Sequence, residues 1–155
     1  MTAPLYAPDW LRGITVKQPW AASIVHGDKR IENRPRPWPT GWYLLHAGAV
    51  IDRPALRDPL AARTVHGHHL HTRAVLAVAR ITDCHAHTGT DSGDASCGRW
   101  AQPGCFHLDL DDVHALPLPV PCPGALGPWR VPRPVFEQVL LQLPHLTGLF
   151  PEVTS

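Results

Sequence analysis

The sequence has almost no net charge and very little lysine. Its 14 basic residues stand against 13 acidic ones, which gives a formal net charge of +1. Nearly all the basic residues are arginines, and the only lysines are Lys17 and Lys29. A chain with so small a charge excess sets up no strong long-range field, so net charge alone does not draw it onto nucleic acid or onto a membrane.

Long apolar segments are missing as well. The chain has no run of about 18 apolar residues, and its first residues do not show the charged and then apolar pattern of an export signal. The sequence therefore predicts no membrane partner and a cytoplasmic location.

Cysteine is scarce and irregularly spaced. The chain has four cysteines, and no two of them are separated by the two residues typical of metal and redox motifs. A disulfide framework is not expected in a non-secreted chain of this size. Zinc is the alternative to free thiols, because one short region holds several possible ligands: Cys84, His85, His87, Cys97 and Cys105. Their spacing matches no familiar zinc finger, so we predict no metal and no cofactor.

Proline and glycine, in contrast, are abundant, with 18 and 12 among 155 residues. They punctuate the chain into many short elements, which favours a small mixed or mainly β architecture over a helical bundle. The length predicts one domain spanning residues 1–155. The class that we predict is α+β, a small β-barrel with flanking helices.

Hydrophobic periodicity gives the order of the elements. We expect helices near 19–26, 54–65 and 134–143. We expect strands at 14–17, 29–34, 42–47, 74–84 and 105–116, and a pair of short edge strands within 117–132. The run 74–84 is the candidate central strand, because its apolar positions are first nearly continuous and then alternate. The histidine-rich segment 66–71 is interpreted as a polar connection, and the polar segment 86–98 is predicted to be mobile.

The stretch from Gln18 to Arg34 carries the densest chemistry. Its first half has the spacing of a short helix, which Gly27 is suited to end in a left-handed conformation. The strand that follows carries Lys29, Glu32 and Arg34. By simple alternation Glu32 and Arg34 share a face, and Lys29 points the other way unless the preceding turn rotates it. A helix that leads directly into so charged a strand indicates a functional site.

This stretch also resembles a known family. The activating-signal-cointegrator homology (ASCH) family, a branch of the PUA-like superfamily of small β-barrels, has a similar pattern of Gly27, Lys29, Glu32 and Arg34, preceded by QPWA and followed by a strand ending in His46–Ala47. Two later pieces are similar too: the strand through Ile81–Cys84, and the pattern formed by Gly124, Leu126, Gly127 and Trp129. The resemblance covers about residues 14–132. It implies a PUA-like barrel of five to seven strands.

The resemblance implies a cleft that binds nucleic acid, RNA in preference to DNA, or a nucleotide. Lys29, Arg34 and Arg36 are expected to project into one pocket. Glu32 is expected at its floor, where it could accept hydrogen bonds from a base, and Trp38 at its rim as a stacking face. We further expect these cations to be exposed, so that removing them would barely change stability.

The other aromatic residues receive other roles. Trp20 is predicted to be a core residue because it shares a helix face with Ile24, and Trp129 because it lies inside the terminal pattern of the resemblance. Trp100 follows the polar segment 86–98 and is the candidate lid residue. His46 is a candidate general base or polar contact, and a structural, hydrogen-bonded histidine is the alternative.

Three alternatives to binding stay open. Some ASCH-like proteins resemble amidohydrolases that cleave an acyl group from a modified cytidine nucleoside, with a lysine that matches Lys29 as nucleophile or base, a threonine three residues on and a distant glutamate. Here position 32 is Glu, and the acidic substitutes on a strand are Asp109, Asp111 and Asp112. A ribonuclease would instead need an acid–base pair such as Lys29 with His46. The last alternative is a structural or protein-interaction role.

Overall fold

The computed structural model describes residues 4–86 and 98–151. In this part of the chain six strands form one curled sheet, a half-barrel, and three α-helices lie against it. The predicted α+β class is thereby confirmed. The strands are β1 (Leu11–Gln18), β2 (Ile31–Arg34), β3 (Gly41–Ile51), β4 (Ala74–Ala86), β5 (Phe106–Pro121) and β6 (Trp129–Arg130). The helices are α1 (Trp20–His26), α2 (Pro59–Val65) and α3 (Arg133–Gln142), with short 3₁₀ turns at Pro54–Arg57 and Pro144–Gly148.

The strands follow the order β2-β5-β4-β3-β1-β6 across the sheet. β1 and β3 run parallel, and the other neighbouring pairs run antiparallel. β4 is an interior strand, as predicted: residues 74–79 are buried on both faces, and exposed positions begin at Arg80. Apolar residues therefore fill both sides of the middle of the sheet.

The core has two layers, one on each face of this sheet. Along β3, Trp42 and Leu44 pack into one layer, while Tyr43 and Leu45 pack into the other, as the alternation of a strand requires. The first layer is covered by α3 and the second by α1. The site described below lies on the side of α1.

Two predicted elements differ from the structure. The predicted pair of short edge strands within 117–132 is confirmed in part: β6 lies at the edge of the sheet, but the first of the two is not a separate strand, since β5 itself continues to Pro121. β2 pairs with β5 only over residues 106–109, so the last part of β5 is an open edge, where proline costs no ladder hydrogen bond. The predicted helix 54–65 is divided in two, because Asp58 caps a new helix by accepting hydrogen bonds from the amides of Leu60 and Ala61.

The junction between β1 and β2 places the charged motif. The side chain of Gln18 is fully buried; its oxygen accepts from the amide of Ala22 at 2.9 Å, and its nitrogen donates to the carbonyl of His71 at 2.8 Å. Gly27 ends α1 in an extended conformation, with φ −127°, and not in the predicted left-handed one. Glycine is needed there for another reason, because a Cβ would lie 2.3 Å from Cγ2 of Thr64 on α2.

A close contact at Gly13 gives the first testable prediction. A Cβ on Gly13 would lie 2.0 Å from the indole ring of Trp129, which is buried as predicted. Gly13→Ala should therefore lower the free energy of unfolding by about 2–3 kcal/mol through overpacking. Gly148→Ala is the matched control, because a Cβ there meets nothing within 4 Å and should change stability by less than about 0.5 kcal/mol. Urea unfolding of both variants tests this, and equal stabilities would contradict it.

Most of the segment predicted to be mobile, 86–98, lies outside the described residues. No helix in the described part of the chain has the length and apolar character that crossing a membrane requires.

Candidate functional site

Lys29, Glu32 and Arg34 meet in the structure. The Nζ atom of Lys29 lies 3.9 Å from Oε2 of Glu32, and Nε of Arg34 lies 3.6 Å from Oε1 of the same carboxylate. Simple alternation would have separated Lys29 from the other two. It does not apply, because β2 begins only at Ile31, and Lys29 turns to donate a hydrogen bond to the Ile31 carbonyl.

The three side chains are mostly buried, which corrects the expectation of exposed cations. Their exposed fractions are 3% for Lys29, 11% for Glu32 and 20% for Arg34. Among the described residues, Oε2 of Glu32 and Nε of Arg34 have no hydrogen-bond partner although both atoms are buried. A buried polar atom without a partner costs about 1–3 kcal/mol, so this arrangement has unused capacity for hydrogen bonds with a ligand.

Burial also changes the acid–base behaviour of the lysine. It lowers the pKa of Lys29 below 10.5, because a desolvated ammonium is less stable than a hydrated one. The Glu32 carboxylate offsets part of this decrease, and the Arg34 guanidinium adds to it. Lys29 therefore loses its proton more easily than an ordinary lysine.

Arg34 is fixed from two sides. Its Nη2 donates to the carbonyl of Thr15 at 2.7 Å, and its guanidinium lies 5.1 Å from the ring centroid of Trp38. Trp38 itself packs against the core and is not among the residues that line the pocket, and neither is Arg36. The structure thus brings together three of the five predicted ligand-binding residues, and it places Trp38 behind Arg34.

Two other tryptophans form the aromatic wall. The rings of Trp20 and Trp100 meet edge to face, with centroids 6.3 Å apart, and Nζ of Lys29 lies 5.7 Å from each centroid. Trp20 is partly buried: it packs against the core, as predicted, and it also lines the pocket. Together the two indoles shield the lysine from water.

Trp100 is held in place by polar contacts. Its indole nitrogen donates to Oδ1 of Asp28 at 3.1 Å, and its carbonyl accepts from the side-chain amide of Asn33 at 2.9 Å. Asp28 also pairs with Arg99 at 3.3 Å. These contacts make Trp100 a wall of the pocket in this conformation, where the sequence suggested a lid.

The pocket has a volume of about 1100 Å³, large enough for a nucleotide. Besides the charged motif and the two tryptophans, it is lined by residues of β1 and β3, by the start of α2 and by the loop after β5. That loop includes Gly124, Leu126 and Gly127 of the terminal pattern noted in the sequence.

His46 lies in the same pocket, on β3. Its Nε2 donates to the carbonyl of Cys122 at 2.7 Å, which leaves Nδ1 as the acceptor, 3.4 Å from the hydroxyl of Thr15. That hydroxyl also accepts from the indole nitrogen of Trp129 at 3.1 Å. Burial lowers the pKa of His46, so the ring is neutral near pH 7. The hydrogen-bonded structural role, one of the two roles considered for this residue, therefore accounts for its contacts.

The structure places the other candidate residues elsewhere. Asp109, Asp111 and Asp112 do not line the pocket, so they are not placed to replace a catalytic glutamate there. Within the described ranges, the residues that could jointly hold a metal ion are Asp83, His85 and Asp109. They are partly or fully exposed, and His85 pairs with Asp83 at 3.0 Å. Cys84 and Cys105 belong to no such group, and Cys97 lies outside the described residues.

Sequence reasoning missed Asp28, Asn33 and Thr15. Thr15 could have been found from alternation along β1, since it shares a face with Lys17. The roles of Asp28 and Asn33 depend on the distant Trp100, and no local pattern reveals such a contact. No family model matches the chain, and no curated protein sequence matches it.

Proposed function

We propose that the pocket binds the base of a nucleotide, either free or within single-stranded RNA, and that the chain is an ASCH-like domain of the PUA-like superfamily. One observation carries the proposal: within the described residues, a carboxylate oxygen of Glu32 and a guanidinium nitrogen of Arg34 are buried in ion pairs but have no hydrogen-bond partner, beside a wall of two tryptophans. A base offers both an aromatic face and an edge of hydrogen-bond donors and acceptors.

Each part of the pocket has a matching role. Oε2 of Glu32 can accept from an exocyclic amino group, and Nε of Arg34 can donate to a ring nitrogen or a carbonyl oxygen. The faces of Trp20 and Trp100 can stack on the base, which contributes about 1–3 kcal/mol. Lys29 is too deeply buried to contact the phosphates of a polyanion, so we assign it to the base or sugar and not to the backbone.

A curled sheet with one parallel pair is compatible with a small PUA-like barrel. Residues of α1 and β2 line the pocket, and the family resemblance implies a cleft where these two elements meet. The strand order and the motif residues of this chain are the basis of the assignment.

A second candidate is amide hydrolysis, and the lowered pKa of Lys29 favours it. An unprotonated amine can take a proton from water, so that the oxygen of the water bonds to the acyl carbon; the bond between that carbon and the nitrogen of the base then breaks, and the ammonium returns the proton to the leaving nitrogen. Burial raises the fraction of the unprotonated amine at neutral pH. Glu32, 3.9 Å from the amine, is the nearest carboxylate for the transferred proton. Hydrolysis of acylated cytidine, followed by chromatography, tests this candidate. Release of the acyl group by the native chain but not by Lys29→Met would establish it.

Binding is tested by calorimetric titration with the four ribonucleosides, their 5′-monophosphates and single-stranded RNA. Saturable binding of at least one of these would support the proposal, and its absence for all of them would refute it.

The aromatic wall provides a sharper prediction. Trp100→Ala should weaken binding of the preferred ligand about tenfold, because one stacking face is lost. Trp38→Ala is the comparison, since that ring contacts Arg34 from outside the pocket and its loss should cost less. Calorimetric titration of both variants measures the two affinities, and their melting temperatures show whether each variant is folded. A larger loss for Trp38→Ala would contradict the assignment of the stacking face to Trp100.

A further inference from the structure

A second pair of cations lines the pocket, separate from the charged motif. Lys17 belongs to β1, Arg73 directly precedes β4, and both line the pocket. Within residues 4–86 and 98–151, neither side chain forms an ion pair. Arg99, also in the pocket lining, is different because it pairs with Asp28 at 3.3 Å. Lys17 and Arg73 thus keep their charge available to a ligand.

The sheet register brings these two cations to the same level. Val16 pairs with Ala47, and Ala47 pairs with Ala74, so Lys17, Gly48 and Arg73 each lie one residue beyond this row of pairs, on the same side of it. Neighbouring strands are about 4.8 Å apart, which puts the two backbones about 10 Å apart. Gly48 adds no side chain here, where a Cβ would lie 3.0 Å from Cγ2 of Thr15. Two long cationic side chains can therefore converge on one group above this glycine.

Both cations lie at backbone irregularities. The register between β1 and β3 shifts between Val16 and Gln18, because Gln18 pairs with Ile51; the extra residues of this irregularity lie on β3, opposite Lys17. Arg73 has φ 55°, a left-handed conformation that is uncommon outside glycine, asparagine and aspartate. Its carbonyl is held there by the amide of Cys122 at 3.1 Å. Strain of this kind is concentrated at ligand sites.

The carboxylates in this part of the lining are already engaged. Oδ1 of Asp52 accepts from the amide of Ala55 at 3.2 Å, and Oδ1 of Asp58 accepts from the amide of Leu60 at 2.8 Å. Each caps a short helical segment and so does not pair with the two cations. In the described part of the chain neither carboxylate forms an ion pair with Lys17 or Arg73, so both cations can still pair with an anion.

We propose that Lys17 and Arg73 form a phosphate subsite of the pocket. This inference rests on the proposed function, since it assigns the phosphate of the nucleotide to a place apart from the base site. A phosphate monoester carries about −1.5 to −2 charges near pH 7 and several acceptor oxygens, which suits a lysine and an arginine on opposite sides. The same oxygens occur in the internal diester of an RNA strand, so the test includes both sources.

The test compares a nucleoside, its 5′-monophosphate and a dinucleoside monophosphate, which has one internal diester and no terminal phosphate. The base is the one that the native chain prefers. The variants are Lys17→Met, which keeps the length of the side chain, and Arg73→Asn, which tolerates the left-handed backbone. Arg63→Met is the control, because Arg63 is exposed on α2 and does not line the pocket.

For the native chain we expect at least one phosphate-bearing ligand to bind about tenfold more tightly than the nucleoside, as a charge-assisted contact provides. Each subsite variant should remove most of this gain and leave nucleoside affinity unchanged, while Arg63→Met keeps it. If only the monophosphate binds more tightly than the nucleoside, the ligand of the subsite is a free nucleotide. If the dinucleoside monophosphate shows an equal increase in affinity, the ligand is an RNA strand. Equal binding of all three ligands to the native chain, or a gain that survives both variants, would overturn the subsite but not the base site. If none of the three ligands binds to the native chain, both the phosphate subsite and the base site are overturned.

Discussion

Glu32→Ala should be the most damaging single substitution in the pocket. Glu32 is the only carboxylate within 4 Å of Lys29 and Arg34 among the described residues, so its removal leaves two mostly buried cations without a counter-charge. Breaking a buried ion pair in this way costs about 3 kcal/mol or more. The base also loses its acceptor. We expect the free energy of unfolding to fall by about 3 kcal/mol and ligand binding to be lost, as measured by urea unfolding and calorimetry.

Two companion variants separate charge from shape. Glu32→Gln keeps the size of the side chain and one acceptor oxygen but removes the negative charge, so it should lose stability and affinity in smaller measure. Glu137→Gln removes a carboxylate that is 61% exposed on α3, where an ion pair with Arg133 contributes less than about 1 kcal/mol. If Glu32→Ala were no more harmful than Glu137→Gln, the charged motif would be a surface feature and the base site would have no support.

Features of the fold that depend on local sequence could be predicted, whereas features that depend on the whole sheet could not. Periodicity located α1 and α3 within about one residue, because apolar spacing alone determines where such helices bury a face. It also identified β4 as an interior strand. It failed beyond Leu116, where Pro117, Pro119 and Pro121 suggested a break in the strand. Proline is tolerated there because that part of β5 has no partner on its open side, and an open edge is a property of the whole sheet.

The site was predictable to the extent that its residues are close in sequence. Lys29, Glu32 and Arg34 lie within six positions, and their density of charge was visible at once. Their burial was not, because the cover comes from Trp100, which is some 70 positions further along the chain and is anchored to Asp28. Trp38 was the closer candidate for stacking, and only the turn after β2 directs it behind Arg34 instead.

Burial of Lys29 has a consequence for stability as a function of pH. Its pKa in the folded chain lies below 10.5, and unfolding restores the ordinary value. Between the lowered pKa and 10.5 the unfolded chain therefore binds more protons than the folded chain, so this residue makes stability rise as the pH increases through that interval. Below the lowered pKa, Lys29 is protonated in both the folded and the unfolded chain, and the full desolvation cost of the buried ammonium lowers the stability of the fold.

Lys29→Met should remove this rise. The loss of this rise can be assigned to Lys29, because Lys17 is the only other lysine in the sequence and it is exposed. We expect the difference in unfolding free energy, native minus Lys29→Met, to increase toward pH 10.5 by about 1.4 kcal/mol for each unit by which the folded pKa is lowered. Groups that titrate in the same range, such as Tyr43 with its pKa raised to about 12, are common to both proteins and cancel in the difference.

Urea unfolding at a series of pH values measures this difference, with Lys17→Met treated in the same way. The native and Lys17→Met proteins should show parallel curves, because this substitution leaves the buried Lys29 in place. A difference curve for Lys29→Met that is flat up to pH 10.5 would mean that Lys29 is hydrated in the folded chain. The two indoles would then not exclude water from the amine, and a lysine-dependent hydrolysis could not rely on an easily deprotonated Lys29.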